Sequence, residues 1–411
     1  MATCRWMYWR KSWTHGVRNN IDYRKLNVEF RSVLLLLMRI AVNAIFLQKD
    51  QLEGFGHYVN EIVSRWVKQH PEHTFILLFD RPYDDEFIYG PNVIPLVVRP
   101  AARHAVSFKY WYDVKAPLAL RRLKPDVWIQ PYGFCSLTSS IPQILMVHDL
   151  AFLHHPAFLP WHQRWFYKRY TGKFLEKAAG VVTVSDHTKN DILTAYPSVP
   201  AEKITTIPGA ARTLFQPVNW QEKQEVKDGF ADGREYFLFA GGIHPRKNLM
   251  NLLKAFSLFK KWQHSNMKLL VAGRLAWQYD DLVEKLKTYK YRDDVVMLGY
   301  LPDEQLAKIT ASAYSLVYPS FFEGFGLPVI EAMQCGVPVI TSNTSALPET
   351  GGTAALYADP ADPDAIAKQM LLLYRDETLR SKLIENGKER AGEFSWDKAA
   401  EKFWKTLVQA F

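Results

Sequence analysis

The chain has 411 residues, of which 48% are hydrophobic, and a formal net charge of +9. This length exceeds what one hydrophobic core normally organises, so it predicts two domains of ordinary size. Most of the excess charge lies before residue 38, and the sequence contains no recognition-helix or RNA-binding motif, so we expect no nucleic-acid partner.

Residues 1–37 precede the first predicted strand, which begins at Met38. They contain Trp6, Trp9 and Trp13, and seven Lys or Arg against two acids give them a charge of +5. Two interpretations are open: a basic, aromatic arm for a membrane or nucleic acid, or an extension that is not part of the native protein. We favour the second, with translation starting at Met38.

Apolar runs alternate with helical stretches along the rest of the chain. Continuous apolar strands are typical of parallel sheets covered on both faces, so the pattern predicts two α/β domains. The predicted strands begin at Met38, Thr74, Asp126, Gln143, Gly180, Lys203, Tyr236, Lys268, Val295, Tyr314 and Val337. We place the linker at Phe215–Lys227, which gives an N-terminal domain of residues 38–215, a C-terminal domain of residues 216–393 and a last helix in residues 394–411.

Two glycines, Gly54 and Gly56, join the first predicted strand to a helix. A strand, a Gly-x-Gly turn and a helix form a weak nucleotide-loop signal when they occur alone. In the helix, Tyr58 and Trp66 belong to an apolar face at helical spacing, so we assign both to the core.

The strand that begins at Gln143 ends in His148 and Asp149. Open α/β sheets present residues to their ligand crevice at this end of a strand, so His148 is a candidate active-site residue. A lone histidine after a strand is more often structural. We interpret His154 and His155 as loop residues, because nothing pairs them with other ligands at metal spacing.

A basic and aromatic stretch begins at Trp161, and Arg121, Arg122 and Lys124 add to its charge. Such a face could meet anionic lipid head groups or a pyrophosphate. For any single residue, a solvated helix face is the alternative.

Two features predict where the protein resides. The apolar run Val33–Leu47 contains Arg39 and is shorter than a bilayer span, so we expect no transmembrane helix. Cys4, Cys135 and Cys335 form no Cys-x-x-Cys pair, which indicates a reduced, cytoplasmic protein.

The strand that begins at Tyr236 leads through Gly241 and Gly242 to Arg246 and Lys247, just before a helix whose predicted N-cap is Asn248. Cations at this end oppose the helix dipole, so they favour a diphosphate bound between them. Two solvated surface cations are the alternative.

The sequence EGFGLPVIEAMQCG from Glu323 to Gly336 places two glutamates eight positions apart. Gly324 and Gly326 prevent one continuous helix, so Glu323 is predicted in a loop and Glu331 in the first helical turn. The free N–H groups of that turn suit an anion or a polyol. For Glu331 alone, stabilisation of its own helix dipole is an alternative.

A formal Asp-x-Asp at Asp362 and Asp364 surrounds Pro363, so we interpret it as a turn and helix start rather than a metal site. The helix after Phe394 could be capped by Ser395 or Asp397.

The segment Glu323–Glu331 resembles the E-x7-E signature of the retaining glycosyltransferases of family four (group 1), which have the GT-B fold. The resemblance runs from about Met38 to the C-terminus. It implies two Rossmann-like domains whose parallel sheets face each other across an active-site cleft, and a C-terminal helix that crosses back to the first domain.

The resemblance also implies roles for residues. In the family the first glutamate contacts hydroxyls of the donor sugar, and the second holds the nucleotide ribose. The implied catalytic residues are His148 and Glu323, the implied donor-binding residues are Arg246, Lys247, Gly324, Phe325, Gly326, Leu327 and Glu331, and Gly54 and Gly56 would lie near the donor phosphates and the acceptor. Many members carry an arginine directly after the strand's glycine, where this chain has Gly242 or Ile243, so a replacement by Arg246 is left open.

The implied reaction is transfer of a hexose from a GDP- or UDP-linked donor to a glycan or lipid-linked acceptor, with retention of anomeric configuration. The family setting is cell-surface polysaccharide synthesis at the inner face of the membrane, with mannose favoured as the sugar. We expect no cofactor or metal, because cations and helix N-termini can neutralise the departing diphosphate. The alternatives are a non-catalytic nucleotide-sugar-binding protein and a nucleotide-sugar epimerase on the same fold.

Overall fold

Strands and helices alternate along the chain as the apolar runs predict. The computed structural model describes residues 37–49, 52, 54–102, 105–274, 286 and 288–409, and Arg39–Phe411 form one compact unit. The predicted extension, residues 1–37, lies outside the described residues except for Leu37.

Seven parallel strands form the first sheet. They are β1 (Arg39–Asn43), β2 (Thr74–Phe79), β3 (Val93–Val97), β4 (Val127–Gln130), β5 (Gln143–Val147), β6 (Gly180–Thr183) and β7 (Ile204–Thr206). Their order across the sheet is β3-β2-β1-β4-β5-β6-β7. The order reverses between β1 and β4, and open sheets of this kind bind ligands beside the carboxyl ends of strands at such a point.

Six parallel strands form the second sheet. They are β8 (Tyr236–Ala240), β9 (Lys268–Ala272), β10 (Val295–Gly299), β11 (Ser315–Tyr318), β12 (Val339–Ser342) and β13 (Ala355–Ala358). Their order is β10-β9-β8-β11-β12-β13, so this sheet reverses between β8 and β11. Strands β8 and β9 are buried at every position, as expected for strands covered on both faces.

Helices connect the strands in both halves of the described chain. The first half contains α1 (Gly54–Gln69), α2 (Ala105–Tyr110), a π-helical turn (Trp111–Lys115), α3 (Ala116–Leu123), α4 (Ala151–His154), α5 (Trp161–Lys177) and α6 (Asp186–Ala195). The second half contains α7 (Trp220–Ala231), α8 (Leu249–Gln263), α9 (Asp303–Ser312), α10 (Leu327–Gln334), α11 (Leu347–Gly351), α12 (Pro363–Arg375), α13 (Glu377–Gly392) and α14 (Trp396–Gln409).

The last helix, α14, packs on α1 of the first domain, which confirms the predicted crossover. The indole N–H of Trp66 donates to the carbonyl of Ala400 at 2.9 Å, and the rings of Trp66 and Phe403 meet edge to face at 4.9 Å. Arg65 on α1 pairs with Asp397 on α14 at 2.7 Å. Tyr58 and Trp66 are buried, as predicted.

The predicted linker, Phe215–Lys227, is only partly extended. Helix α7 begins inside it at Trp220, and a capping box between Asn219 and Glu222 satisfies the first backbone N–H groups. The domain limits at residues 215 and 393 stay predictions.

The Asp-x-Asp sequence begins a helix, as predicted. The side chain of Asp362 accepts a hydrogen bond from the N–H of Asp364 at 2.9 Å, and Pro363 is the first residue of α12.

Cys135 and Cys335 are buried free thiols. No described helix is both long and apolar enough to cross a membrane.

Candidate active site

A cavity of about 700 Å³ is lined by the loops that follow β1, β5, β8 and β11, so both sheets contribute to it. Of the predicted site residues, it brings together Gly54, His148, Arg246, Lys247, Gly324, Phe325, Gly326, Leu327 and Glu331 around Glu323. Gly56 is not among the described residues that line it. A Cβ at position 56 would meet the side chain of Leu52 at 3.0 Å and the carbonyl of Phe46 at 3.4 Å.

Glu323 lies at the centre of a dense polar network. Its Oε1 accepts hydrogen bonds from Lys247 Nζ and Ser320 Oγ, both at 2.6 Å, and from Tyr318 at 3.2 Å. Its Oε2 lies 3.4 Å from Arg246 Nη1. The two predicted phosphate-binding cations and the predicted sugar-binding carboxylate are therefore in direct contact.

The charges in this network fix the ionisation of Glu323. Burial alone would raise the pKa of Glu323, but Arg246 and Lys247 lower it to about 2. Glu323 is thus a carboxylate at neutral pH, able to accept hydrogen bonds from sugar hydroxyls but not to donate a proton. Burial lowers the pKa of Lys247, although the contact with Glu323 opposes that shift.

Arg246 and Lys247 belong to a short 3₁₀ turn, Pro245–Lys247, ahead of α8. Asn248 occupies the predicted N-cap position but does not cap, because its backbone is left-handed with φ of 63°. Its side-chain amide donates instead to the carbonyls of Pro319 at 2.8 Å and Pro360 at 2.7 Å. Asn248 therefore anchors the two cations to the loop after β11.

The glycine loop approaches the first domain closely. A Cβ at position 324 would lie 1.8 Å from the carbonyl oxygen of His148 and 3.1 Å from Cβ of Asp149. Gly326 has φ of 107° and occupies the N-cap of α10. Gly324 must be glycine because a Cβ would clash with the first domain. Gly326 must be glycine because its backbone conformation is left-handed.

His148 is half-buried and electrically neutral in this setting. Burial lowers its pKa, and Nε2 lies 2.8 Å from the carbonyl oxygen of Pro131. Because a carbonyl only accepts, Nε2 carries the proton and Nδ1 carries the lone pair. The ring can therefore accept a hydrogen bond at Nδ1, as from a sugar hydroxyl.

Two family profiles match the chain and together cover most of it. Residues 52–213 match the profile described as Glycosyltransferase Family 4, and residues 221–390 match that of Glycosyl transferases group 1. The O-antigen chain mannosyltransferase B of Escherichia coli is 34% identical over 85% of this chain and 94% of its own length.

The chain belongs to the family-four (group 1) glycosyltransferases. The O-antigen chain mannosyltransferase RfbU of Salmonella typhimurium is 30% identical over 68% of this chain and 75% of its own length. Among solved structures, Anabaena HepE in complex with UDP and glucose has a TM-score of 0.72 and 14% identity, covering 90% of this chain and 99% of that one. This likeness supports the fold alone, and it confirms the predicted GT-B architecture of the glycosyltransferase.

The second glutamate of the signature, Glu331, is the fifth residue of α10, so it lies beyond the first turn in which the sequence placed it. It is buried, and its Oε1 accepts a hydrogen bond from Arg212 Nε at 2.6 Å. Sequence reasoning missed Arg212, because the arginine follows β7 and belongs to no motif. The available signal was a carboxylate in an apolar helix with no cation one turn away, since a buried carboxylate needs a partner from elsewhere.

One expectation about the histidines of the glycosyltransferase is wrong. His154 is the last residue of α4 rather than a loop residue, and its Nε2 lies 2.7 Å from Asp191 Oδ1. His155 is its C-cap residue and lines the cavity.

We expect acid to destabilise the glycosyltransferase partly through His57. Burial, assisted by Arg212, lowers the pKa of His57 from 6.5 to about 4. Between those values the unfolded chain binds a proton that the folded protein does not, so the stability that neutral His57 contributes above pH 6.5 is lost as the pH falls through 4. Urea unfolding across this window should show a smaller loss in His57→Gln than in the wild type, and equal losses would contradict the assignment.

Proposed function

We propose that the protein transfers a hexose from a GDP- or UDP-linked donor to a glycan or lipid-linked acceptor, with retention of anomeric configuration. The contact of Glu323 with Arg246 and Lys247 carries this proposal, because it places two cations beside a carboxylate that can hold sugar hydroxyls. Mannose is favoured as the sugar, and cell-surface polysaccharide synthesis as the setting, because the similar proteins of Escherichia coli and Salmonella are O-antigen chain mannosyltransferases.

In the proposed reaction, the bond between the sugar's anomeric carbon and the diphosphate oxygen breaks, and a bond to the acceptor oxygen forms on the same face. Arg246 and Lys247 would neutralise the departing diphosphate, so the proposal requires no metal. The acceptor hydroxyl would lose its proton to that diphosphate. Glu323 and His148 would orient the donor sugar through its hydroxyls.

The test of this proposal is donor binding and slow donor hydrolysis across a panel of nucleotide sugars that includes GDP-mannose and UDP-glucose. Lys247→Ala should weaken binding of the preferred donor roughly tenfold to hundredfold, since a hydrogen bond to a charged group is lost. Lys254→Ala, on the exposed face of α8, is the matched control and should bind as the wild type does.

The outcomes of this experiment separate the alternatives. Binding without hydrolysis or transfer would favour the non-catalytic protein, and conversion of one nucleotide sugar into another would favour the epimerase. Equal binding by Lys247→Ala and the wild type would contradict the assignment of the donor site.

A surface of the first domain suits the proposed position at a membrane. Trp161 and Trp165 on α5 have 73% and 58% of their areas exposed, and Tyr110, Val114 and Leu118 form an exposed apolar row at helical spacing. The same helices, or the residue directly after one of them, carry exposed cations, and we call the five residues together with these cations the basic-aromatic surface. The cations are Arg121, Arg122, Lys124, Arg164, Lys168, Arg169, Lys173 and Lys177.

The two parts of the basic-aromatic surface belong to neighbouring helices. Lys109 on α2 lies with Nζ 5.1 Å from the ring centre of Tyr170 on α5, and the rings of Phe108 and Phe166 lie 6.2 Å apart. Exposed tryptophans among cations favour the head-group region of an anionic bilayer. We therefore propose that this surface rests on anionic lipid while the cavity receives a lipid-linked acceptor.

Vesicle sedimentation tests this membrane contact. We expect binding to vesicles that contain phosphatidylglycerol, weaker binding at high salt, and a loss of roughly tenfold or more in Trp161→Ser/Trp165→Ser, because two apolar anchors are removed. Trp220→Ser is the matched control, since Trp220 is 77% exposed on α7, outside this surface. Equal sedimentation of both variants would contradict the contact.

A further inference from the structure

One guanidinium, that of Arg212, joins side chains from both domains at the edge of the cavity. Arg212 Nε donates to Glu331 Oε1 at 2.6 Å, and Nη1 lies 2.9 Å from Asp303 Oδ1 and 3.2 Å from His57 Nε2. Arg212 and His57 belong to the half of the chain that forms the first sheet, whereas Asp303 and Glu331 lie on α9 and α10. All four residues line the cavity.

The geometry holds this guanidinium in one orientation. Its Cζ lies 4.6 Å from the ring centre of Phe215, so the planar group stacks on an aromatic face. The side-chain amide of Gln334 donates to the carbonyls of Arg212 at 3.2 Å and Phe215 at 2.7 Å. Gln334 lies on α10, and this ties the backbone of Arg212 to the helix that carries Glu331.

Because Glu331 is buried, its ionisation depends on its pairing with Arg212. The side chains of Arg212 and Glu331 are only 8% and 6% exposed, and burial raises the pKa of Glu331. The Arg212 guanidinium opposes that shift and favours the ionised form. The guanidinium itself is held at Nη1 and on its flat face, so its single hydrogen bond from Nε turns Oε1 of the Glu331 carboxylate toward Arg212.

We propose that Arg212 is a positioning residue that orients the Glu331 carboxylate for the ribose hydroxyls of the donor nucleotide, and so makes ribose recognition depend on contact between the two domains. The inference rests on the proposed function, which gives the cavity a nucleotide-sugar donor, and on the ribose contact that the family resemblance implies for Glu331. Arg212 acts through Glu331 and lies apart from the diphosphate-binding pair, Arg246 and Lys247.

This role predicts a specific change in nucleotide binding. Without Arg212, Glu331 loses its fixed direction, so binding of a ribonucleotide should weaken while binding of its 2′,3′-dideoxy analogue changes little. A residue that only stabilises the fold would weaken both by the same factor.

Calorimetric titration with GDP, UDP and their 2′,3′-dideoxy analogues tests the proposal. For the preferred nucleotide, the wild type should bind the ribose form at least roughly tenfold more tightly than the dideoxy form. The dideoxy form lacks the hydroxyls that would donate hydrogen bonds to a charged group. The ratio should approach one in Arg212→Met and be intermediate in Arg212→Lys, which keeps the charge but loses the fork. The donor KM should rise in both variants.

Arg65→Met is the matched control. Arg65 also joins the domains, through Asp397 on α14, but it does not line the cavity, so its ratio should equal that of the wild type. If Arg212→Met does not fold, Arg212→Lys gives the comparison. An unchanged ratio in the folded Arg212 variants would overturn this inference and leave the proposed function standing, whereas a wild type that binds neither GDP nor UDP would overturn both.

Discussion

Replacing Gly324 with alanine is expected to reduce turnover by at least about a hundredfold. The added Cβ would lie 1.8 Å from the carbonyl oxygen of His148, and ordinary contact between such atoms needs more than 3 Å. The obstacle is backbone on both sides, so no side-chain rotation can relieve it. The glycine loop must therefore move away from the first domain by more than ~1 Å, and a misplacement of that size in an active site costs about a hundredfold in rate.

The control for Gly324→Ala is a glycine-to-alanine change that causes no clash. Gly229, on α7, has no atom within 4 Å of the position that its Cβ would occupy, so Gly229→Ala should leave turnover unchanged and leave stability equal or slightly higher. Donor hydrolysis and circular dichroism of both variants, side by side, give the result. A Gly324→Ala protein with wild-type turnover would show that the two domains need not meet at this loop.

Glu323→Gln should impair both stability and turnover. Glutamine keeps the shape of the side chain but removes the charge that balances Lys247 at 2.6 Å and Arg246 at 3.4 Å. Lys247, 13% exposed, would then lack its counter-ion, and Arg246, 20% exposed, would keep only Asp149 at 3.8 Å. Breaking a buried ion pair from one side typically costs about 3–5 kcal/mol in the free energy of unfolding, and partial exposure lowers that cost here. Turnover should fall roughly 10²- to 10³-fold, because the amide cannot match a carboxylate in holding developing positive charge and sugar hydroxyls.

Glu349→Gln serves as the control for the charge change. Glu349 accepts hydrogen bonds from the backbone N–H groups of Asp186 and His187, both at 2.8 Å, so it also links two parts of the structure but does not line the cavity. We expect a modest loss of stability and full turnover at temperatures where the protein is folded. If Glu323→Gln matched Glu349→Gln in turnover, the carboxylate at position 323 would have no role in the reaction.

The strands were predictable wherever both faces are buried. Runs such as QILMV in β5 and YFLFA in β8 are apolar at every position, and each became a central or inner strand. The pattern missed β3 and β13, which lie at sheet edges and are only partly buried, although it found the other two edge strands, β7 and β10. An edge strand has one neighbour and needs fewer apolar residues, and Pro95 further obscures β3, because proline is tolerated at an edge but not in the middle of a sheet.

The site was predictable where its residues lie close together in the sequence, as for Glu323 and its glycine loop or for Lys247 after β8. It was not predictable where partners are distant in sequence. Arg212 and Glu331 stand 119 positions apart, and the amide of Asn248 finds its acceptors at Pro319 and Pro360 rather than in its own helix. Local patterns identify which groups a site needs, but only the fold determines which groups balance their charge.

The docking of α14 onto α1 has a consequence for biosynthesis. A ribosome synthesises a chain from its N-terminus, and an N-terminal domain generally begins to fold while the rest of the chain is being made. Here the acceptor for the Trp66 indole N–H, the carbonyl of Ala400, lies 334 positions further along the chain. Phe403, the aromatic partner of Trp66, is made later still. The first domain therefore cannot complete this part of its surface until α14 has been made, and the face of α1 that carries Trp66 stays uncovered while the second domain is synthesised.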